Sequence, residues 1–381
     1  MILDFGVLGP LQVTANGAPL PLGTPKQRAV LAMLVMSRNR PVSSESLVNA
    51  AWEQYPPAEP KASLHSYVSN LRRLLAGVGL DAKTVLASAP PGYRLSVTDA
   101  DSDIGRFVAH KTAGVQAAAA GQFEQASEHL ENALAEWRGA VLEDLREFDF
   151  VDPFATALME DKVVAHTARA ESEIACNRAY AVIGDLEALV AAHPYREPLW
   201  AQLITAYYVT ERQSDALDAH QRLKTTLADD LGIDPGPTIR TLHERILRQE
   251  PLNARKAAQT TAVHKIDNIG LRTAVDDQTP LAHLRATAGA TAGRVHPLLA
   301  AATRIGRLPH NDIVLDDPNV SRHHAVIIDT GTSFVITDLR SANGLEVNDQ
   351  RIRRTATLRG GDRIRICDHD FTFEVGGHAE S

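Results

Sequence analysis

The sequence predicts a multidomain α+β chain: a winged helix-turn-helix, then an all-α domain of tetratricopeptide-like helix pairs, then an all-β sandwich. Three observations predict it. Residues 1–100 give strands, three helices and a hairpin in that order; residues 101–250 are Ala-rich, acidic and helical throughout; and beyond 278 short β-prone stretches recur between Gly, Asp and Asn. The domains are placed at 1–100, 101–250 and 278–381. Residues 251–277, which lose periodicity and gain Lys, Thr, Asp and Asn, are read as a linker. At 381 residues the chain is too long for one small core.

Residues 1–23 alternate apolar residues with turn signals, and Asn16-Gly17 marks a hairpin. The first helix has Thr24 to cap it, Pro25 at the first helical position and Gln27 at capping-box spacing. Val30, Leu31, Leu34 and Val35 form its buried stripe. "SSESLVNAAW" (43–52) reads as a second short helix. In 61–75, Leu64, Val68, Leu71 and Leu75 recur at helical spacing. The opposite surface of that third helix carries Lys61, His65, Ser69 and Arg72, flanked by Ser66, Asn70 and Arg73. "VLASAPPGYRLSV" (85–97) then supplies two β-prone pieces around a Pro-Pro-Gly turn.

A helix that enters a DNA major groove needs polar and basic side chains outside and an apolar face inside. Lys61, Arg72 and Arg73 suit phosphates, while His65, Ser66, Ser69 and Asn70 can reach base edges or phosphate oxygens. Arg94, beside Pro91-Gly92, is expected where a hairpin tip lies in the minor groove. Charge agrees with this placement. Residues 1–100 hold nine Lys and Arg against six Asp and Glu, a net +3, whereas residues 101–250 hold 14 against 26, a net −12. The acidic middle should stand away from DNA.

That middle begins with "AAAAGQFEQASEHLENALAEW" (117–137) and continues in "EPLWAQLITAYYVTERQSDALDAHQRL" (197–223). Trp200, Leu203, Tyr207 and Ala216 fall at offsets similar to the tetratricopeptide pattern, in which stacked helix pairs bury a shared seam. "TPKQRAVLAMLV", "SLHSYVSNLRRLL" and "PPGYRL" together resemble the response-regulator-type DNA-binding domain of Streptomyces antibiotic regulatory proteins. "DDLGIDPGPTIRTLHERIL" (229–247) is similar to the end of their bacterial transcriptional activation domain. The resemblance covers about residues 3–250. It implies promoter binding at direct repeats, with the helical domain contacting RNA polymerase or a second protomer of a homodimer on DNA.

The C-terminal region carries Gly306-Arg307, then Ser321-Arg322-His323-His324, then Ser341-Ala342-Asn343-Gly344. A phosphate monoester is held by a delocalised cation and short hydroxyl or amide donors. Arg307 provides the cation and Ser321 the hydroxyl. This GR…SxxH…NG pattern resembles the forkhead-associated domain, a phosphothreonine reader, which implies that Asn343 hydrogen-bonds a bound peptide's backbone. The resemblance implies that His324 holds the binding loop and that Gly306 and Gly344 permit tight turns. Arg322 and Arg340 are edge contacts. Ala342 stands where many family members carry Ser or Thr, which puts the strength or selectivity of phosphothreonine binding in question, not the fold. The three-domain order resembles the kinase-controlled mycobacterial members of the regulatory family and implies a phosphorylated Ser/Thr protein kinase as partner.

Other classes are disfavoured. There is no Gly-Lys dipeptide for a Walker A loop, so no enzyme and no cofactor are expected. His323-His324 and "CDHD" (367–370) lack metal-ligand spacing, and adjacent strand residues face opposite ways, so no metal is expected. Cys176 and Cys367 stand alone, the longest apolar run is "AVLAMLVM" (29–36), and "MILDFGVLGP" has an acid where a signal peptide is basic. These features predict a cytoplasmic chain without membrane insertion. The rival reading is an adaptor that binds or restrains the kinase with little DNA-binding output, kept open by the modest +3 of residues 1–100.

Overall fold

The computed structural model describes residues 2–53, 55–269, 282–289 and 292–376. They fall into two compact units, residues 1–108 with 136–161 and 268–381, and residues 109–135 with 162–267.

The first unit opens with an antiparallel sheet of β1 (Leu3–Gly6), β2 (Gln12–Ala15) and β3 (Ala18–Pro19). Asn16 and Gly17, both at positive φ, turn β1–β2 into β3 as the Asn-Gly signal requires. Helix α1 (Pro25–Met36) starts at Thr24, whose hydroxyl accepts from the Gln27 backbone N–H, but the Gln27 side chain donates to the Leu22 carbonyl instead of closing the expected capping box. A short β4 (Val42–Ser43) leads into α2 (Ser44–Trp52), capped by the Ser43 hydroxyl. Helix α3 (Pro60–Gly77) buries Leu64, Val68, Leu71 and Leu75, the stripe read from the sequence. One turn, α4 (Ala82–Val85), precedes β5 (Leu86–Ala89) and β6 (Gly92–Leu95), which form the wing with β4 in the order β4-β6-β5.

The second unit is helical. It takes its residues from α5 (Asp103–Ala119), α6 (Phe123–Ala135), α7 (Val151–Ala175), α8 (Tyr180–Ala192), α9 (Glu197–Val209), α10 (Gln213–Leu231), α11 (Pro237–Leu247) and α12 (Ala254–Ile269). Leu199, Trp200, Leu203, Tyr207 and Ala216 share one core with Leu186, Leu223 and Ile239, as the tetratricopeptide offsets lead one to expect. Helix α12 corrects the sequence reading of residues 251–277. Ala258 and Ala262 are buried with Ala117, Phe123 and Ala126, so the first part of the expected linker is packed helix; the rest, from 270, lies outside the described residues.

Two histidines of this unit make its stability acid-sensitive. Burial first, then neighbouring charge from His243 for one and Lys162 for the other, holds both His220 and His166 down to about 4. His220 stacks on His243 with ring centroids 3.8 Å apart. Unfolding returns each ring to its ordinary value of 6.5, so the unfolded chain takes up protons first. Their contribution is complete above about pH 6.5 and is lost as pH falls toward about 4. Urea midpoints measured across that window should fall with pH, and His220→Asn should flatten the slope.

The rest of the first unit is a β-sandwich. One sheet has the order β10-β9-β11-β12-β15, built from β9 (Ala302–Gly306), β10 (Ile313–Val314), β11 (Ala325–Asp329), β12 (Phe334–Asp338) and β15 (Thr355–Leu358). The other runs β14-β13-β16-β17-β7-β8, from β7 (Ala282–Ala288), β8 (Val295–Pro297), β13 (Glu346–Val347), β14 (Gln350–Arg351), β16 (Arg363–Ile366) and β17 (His369–Val375). Ile305, Ile327, Ile336, Phe371 and Phe373 fill the core between them. Every residue of β11 is buried. Ala325 and Ile327 face the sandwich core, while Val326 and Ile328 line a cleft with Met33, Val42, Ala50 and Phe148. The outer face of this sheet is therefore covered by the winged helix and residues 146–154. Arg40 joins the same surfaces through an ion pair to Asp329 at 2.7 Å.

Candidate functional site

Three loops meet at one end of the sandwich. Gly306 ends β9 where a Cβ would run into the carbonyl oxygen of Arg322, so only glycine lets these two loops touch. The Arg307 amide donates to the Ser321 carbonyl at 3.0 Å, which places the first loop beside the second. The Arg307 side chain is exposed and makes no hydrogen bond or ion pair to the described residues. The Ser321 hydroxyl accepts from the Ala342 amide at 3.0 Å and joins the second loop to the third. Its own proton is left to donate.

His324 is fully buried beneath this junction. Its ring accepts the Ser321 amide at Nδ1 (3.2 Å) and donates from Nε2 to the Gly344 carbonyl (3.0 Å). One side chain thus fixes both loops. Asn343 is exposed, with its amide donating to the Asn319 carbonyl at 2.8 Å. Nearby, burial pushes the Cys367 thiol up, so it stays protonated. Gly344 sits at φ +79, and a Cβ there would lie 2.6 Å from the Arg351 guanidinium. Arg322 is exposed, and Arg340 is exposed at φ +59.

Sequence reasoning missed several residues that hold these loops. Asn311 is buried and donates to the carbonyls of Leu308 and Arg322 at 2.9 and 2.8 Å, which closes the first loop onto the second. Asp338 accepts from the amide and hydroxyl of Ser341 and fixes the third. Asn and Asp next to a strand end are turn-forming signals, and that is the only local sign of either role. His323, adjacent to His324, faces His310 with ring centroids 4.9 Å apart. Burial, then His310 and Arg304, lowers its pKa.

On α3, Lys61, His65, Ser66, Ser69 and Arg73 are exposed, and Asn70 and Arg72 half-buried. The structure divides them. Arg72 donates from Nε to the Leu86 carbonyl at 2.9 Å and from Nη2 to the Ser88 hydroxyl at 3.1 Å, bracing the helix against the wing. His65 meets the Tyr93 hydroxyl at 2.6 Å, the Asn70 amide donates to Gln27 at 3.2 Å, and the Ser66 hydroxyl returns to the Ala62 carbonyl. The outward cations of α3 are Lys61 and Arg73, with Ser69 between them. Arg94 differs from expectation. It pairs with Ala87 inside the β5–β6 ladder rather than at the Pro90–Pro91 turn, and its Nε is buried.

Three family models match the chain: "Bacterial transcriptional activator domain" over residues 102–247, "FHA domain" over 303–367, and "Transcriptional regulatory protein, C terminal" over 17–95. The chain is 66% identical over 373 residues to the transcriptional regulatory protein EmbR of Mycobacterium tuberculosis, covering 98% of this chain and 95% of that one. It is 54% identical over 252 residues to the regulatory protein MoaR1 of the same organism, covering 66% of this chain and 81% of MoaR1. A solved structure of M. tuberculosis EmbR in complex with a low-affinity phosphopeptide superposes with a TM-score of 0.95 at 65% identity, covering 99% of both chains. No helix among the described residues is long and apolar enough to cross a membrane.

Proposed function

Because the chain belongs to the EmbR family of DNA-binding transcriptional regulators, we propose that it couples the phosphorylation state of a Ser/Thr protein kinase to promoter occupancy. The family is one of regulators, not of enzymes. The forkhead-associated module reads phosphothreonine. Arg307 supplies the guanidinium, Ser321 the hydroxyl, and Asn343 a hydrogen bond to the bound peptide's backbone, with Arg322 at the edge. His324, Gly306 and Gly344 hold these groups in place. One observation supports the reading: Arg307, Ser321 and Ala342 are tied through two hydrogen bonds into one surface at the end of the sandwich.

Promoter DNA is held by α3. Lys61 and Arg73 take phosphates, and Ser69, exposed between them, reaches base edges with the exposed His65 and Ser66 beside it. The helical domain presents a surface to RNA polymerase or to a second protomer on DNA, and the protein works in the cytoplasm. Each lost phosphate contact lowers the log–log salt slope of DNA affinity by about 0.9. Lys61→Ala and Arg73→Ala should each show that loss. Arg72→Ala should instead lower stability, because two hydrogen bonds tie it to the wing. Promoter affinity measured by anisotropy, with and without a phosphothreonine peptide, tests the coupling. No promoter affinity at low salt would return the kinase-adaptor reading.

A further inference from the structure

The third loop and residues 351–353 together carry more positive charge than one phosphate uses. Arg340, Arg351 and Arg353 are exposed and line one cleft of about 1300 Å³ together with Ser341 and Gly344. The absence of a side chain at Gly344 lets the Arg351 guanidinium rest on the loop itself, 2.6 Å from where a Cβ would stand. Nearby acids are already engaged. Asp338 is hydrogen-bonded to Ser341, and Glu346, which faces Arg351 across the β13–β14 ladder, is paired with Arg365. Among the described residues, none of the three arginines has a carboxylate within ion-pair distance. Arg304 and Arg354 of the same cleft are neutralised by Asp312 and Asp152.

Glu53, Asp149 and Asp152 also line the cleft, the last held by Arg354. A polyanion filling the cleft would meet those carboxylates, whereas a single anionic group on an extended peptide can stay beside Arg340, Arg351 and Arg353. Guanidinium groups bind phosphate as planar, bidentate partners, and phosphothreonine carries close to two charges. We propose that Arg340, Arg351 and Arg353 form a second phosphate subsite, so that the module prefers a segment carrying two phosphothreonines over one carrying a single phosphothreonine. This rests on the reading of Arg307, Ser321 and Asn343 as the first subsite.

The test uses the full chain and labelled peptides followed by anisotropy at low salt, where charge contacts are least screened. The set comprises an unphosphorylated peptide, one phosphothreonine, a second phosphothreonine about two to five residues to either side, and glutamate at those places. At roughly 3.3 Å per residue, that range scans the cleft. The expected result is a gain of about tenfold or more for the second phosphate at one spacing, equal to about 1.4 kcal/mol, and a smaller gain for glutamate. Arg351→Ala/Arg353→Ala should abolish the gain and leave the singly phosphorylated peptide within about twofold of wild type. Since Arg351 also packs on Gly344, Arg340→Ala/Arg353→Ala is the companion variant and should reduce the gain likewise. No gain at any spacing, or a gain that survives both variants, overturns the second subsite alone. Variants that lose affinity for a short DNA duplex while peptides show no second-phosphate gain would assign the arginines to DNA and overturn it as well. Equal affinity for the singly phosphorylated and unphosphorylated peptides would overturn the first subsite and this one with it.

Discussion

Replacing Arg307 with alanine is expected to lower affinity for a phosphothreonine peptide at least about tenfold, because a charge-assisted hydrogen bond contributes about 1.5–3 kcal/mol and about 1.4 kcal/mol is a factor of ten. The fold should not change: the side chain is exposed, and Arg307 takes part in holding the loop only through its backbone. Lysine at 307 should rescue in part, since a point charge cannot reproduce the planar fork. Ser321→Ala should also weaken binding, for two reasons: the hydroxyl proposed to donate to phosphate is lost, and the Ala342 amide loses its acceptor. Ala342→Ser should bind equally or more tightly. His324→Ala should act mainly through stability, because it removes both ties beneath the loops. Calorimetric titration with the phosphorylated peptide and its unphosphorylated twin measures all of these. An Arg307→Ala variant that binds like wild type would remove this loop from the phosphate site.

Arg40→Ala is expected to destabilise the first unit by about 2 kcal/mol, read from denaturant unfolding. Asp329 is 1% exposed at its side chain and Arg40 29%, so the substitution removes the cation from a carboxylate that water cannot reach. A fully stranded charge costs about 3–5 kcal/mol. The smaller figure follows because the Gly331 amide still donates to Asp329 at 2.9 Å and the half-buried Arg38 still acts on it. Arg40→Ala/Asp329→Asn should recover most of the loss, since asparagine keeps the acceptor for Gly331 without the charge. If the double variant is as unstable as the single one, packing of the Arg40 stem, not the ion pair, joins these surfaces.

What was legible in the sequence was local. Thr24-Pro25 and Ser43 cap helices through neighbours within three residues, and the α3 stripe repeats at helical spacing, so both could be read without knowing the fold. The forkhead-associated loops were legible as a spaced pattern, and their convergence followed from strand ends sharing one side. Long-range partners were not. Arg72 has a basic residue's sequence signature but is committed to β5, a strand that begins 14 residues later. Helix α12 was missed because, among the residues whose burial is described, its buried side is alanine alone, and Ala258 and Ala262 give no apolar stripe to count. The double burial of β11 did leave a mark: "AVII" is an unbroken apolar run, where a sandwich strand wet on one face alternates.

That strand ties the ancestry of two modules together. Forkhead-associated domains are readily pictured as cassettes that recombination can attach to any partner, but here Val326 and Ile328 are buried outside the sandwich core, in a cleft that Met33, Val42 and Ala50 also line. A polar substitution on that outer face would be neutral in a free-standing reader and damaging in this chain, where Val326 and Ile328 are buried. Grafting this reader onto another protein therefore requires carrying part of the winged helix with it, or first redesigning Val326 and Ile328 for water.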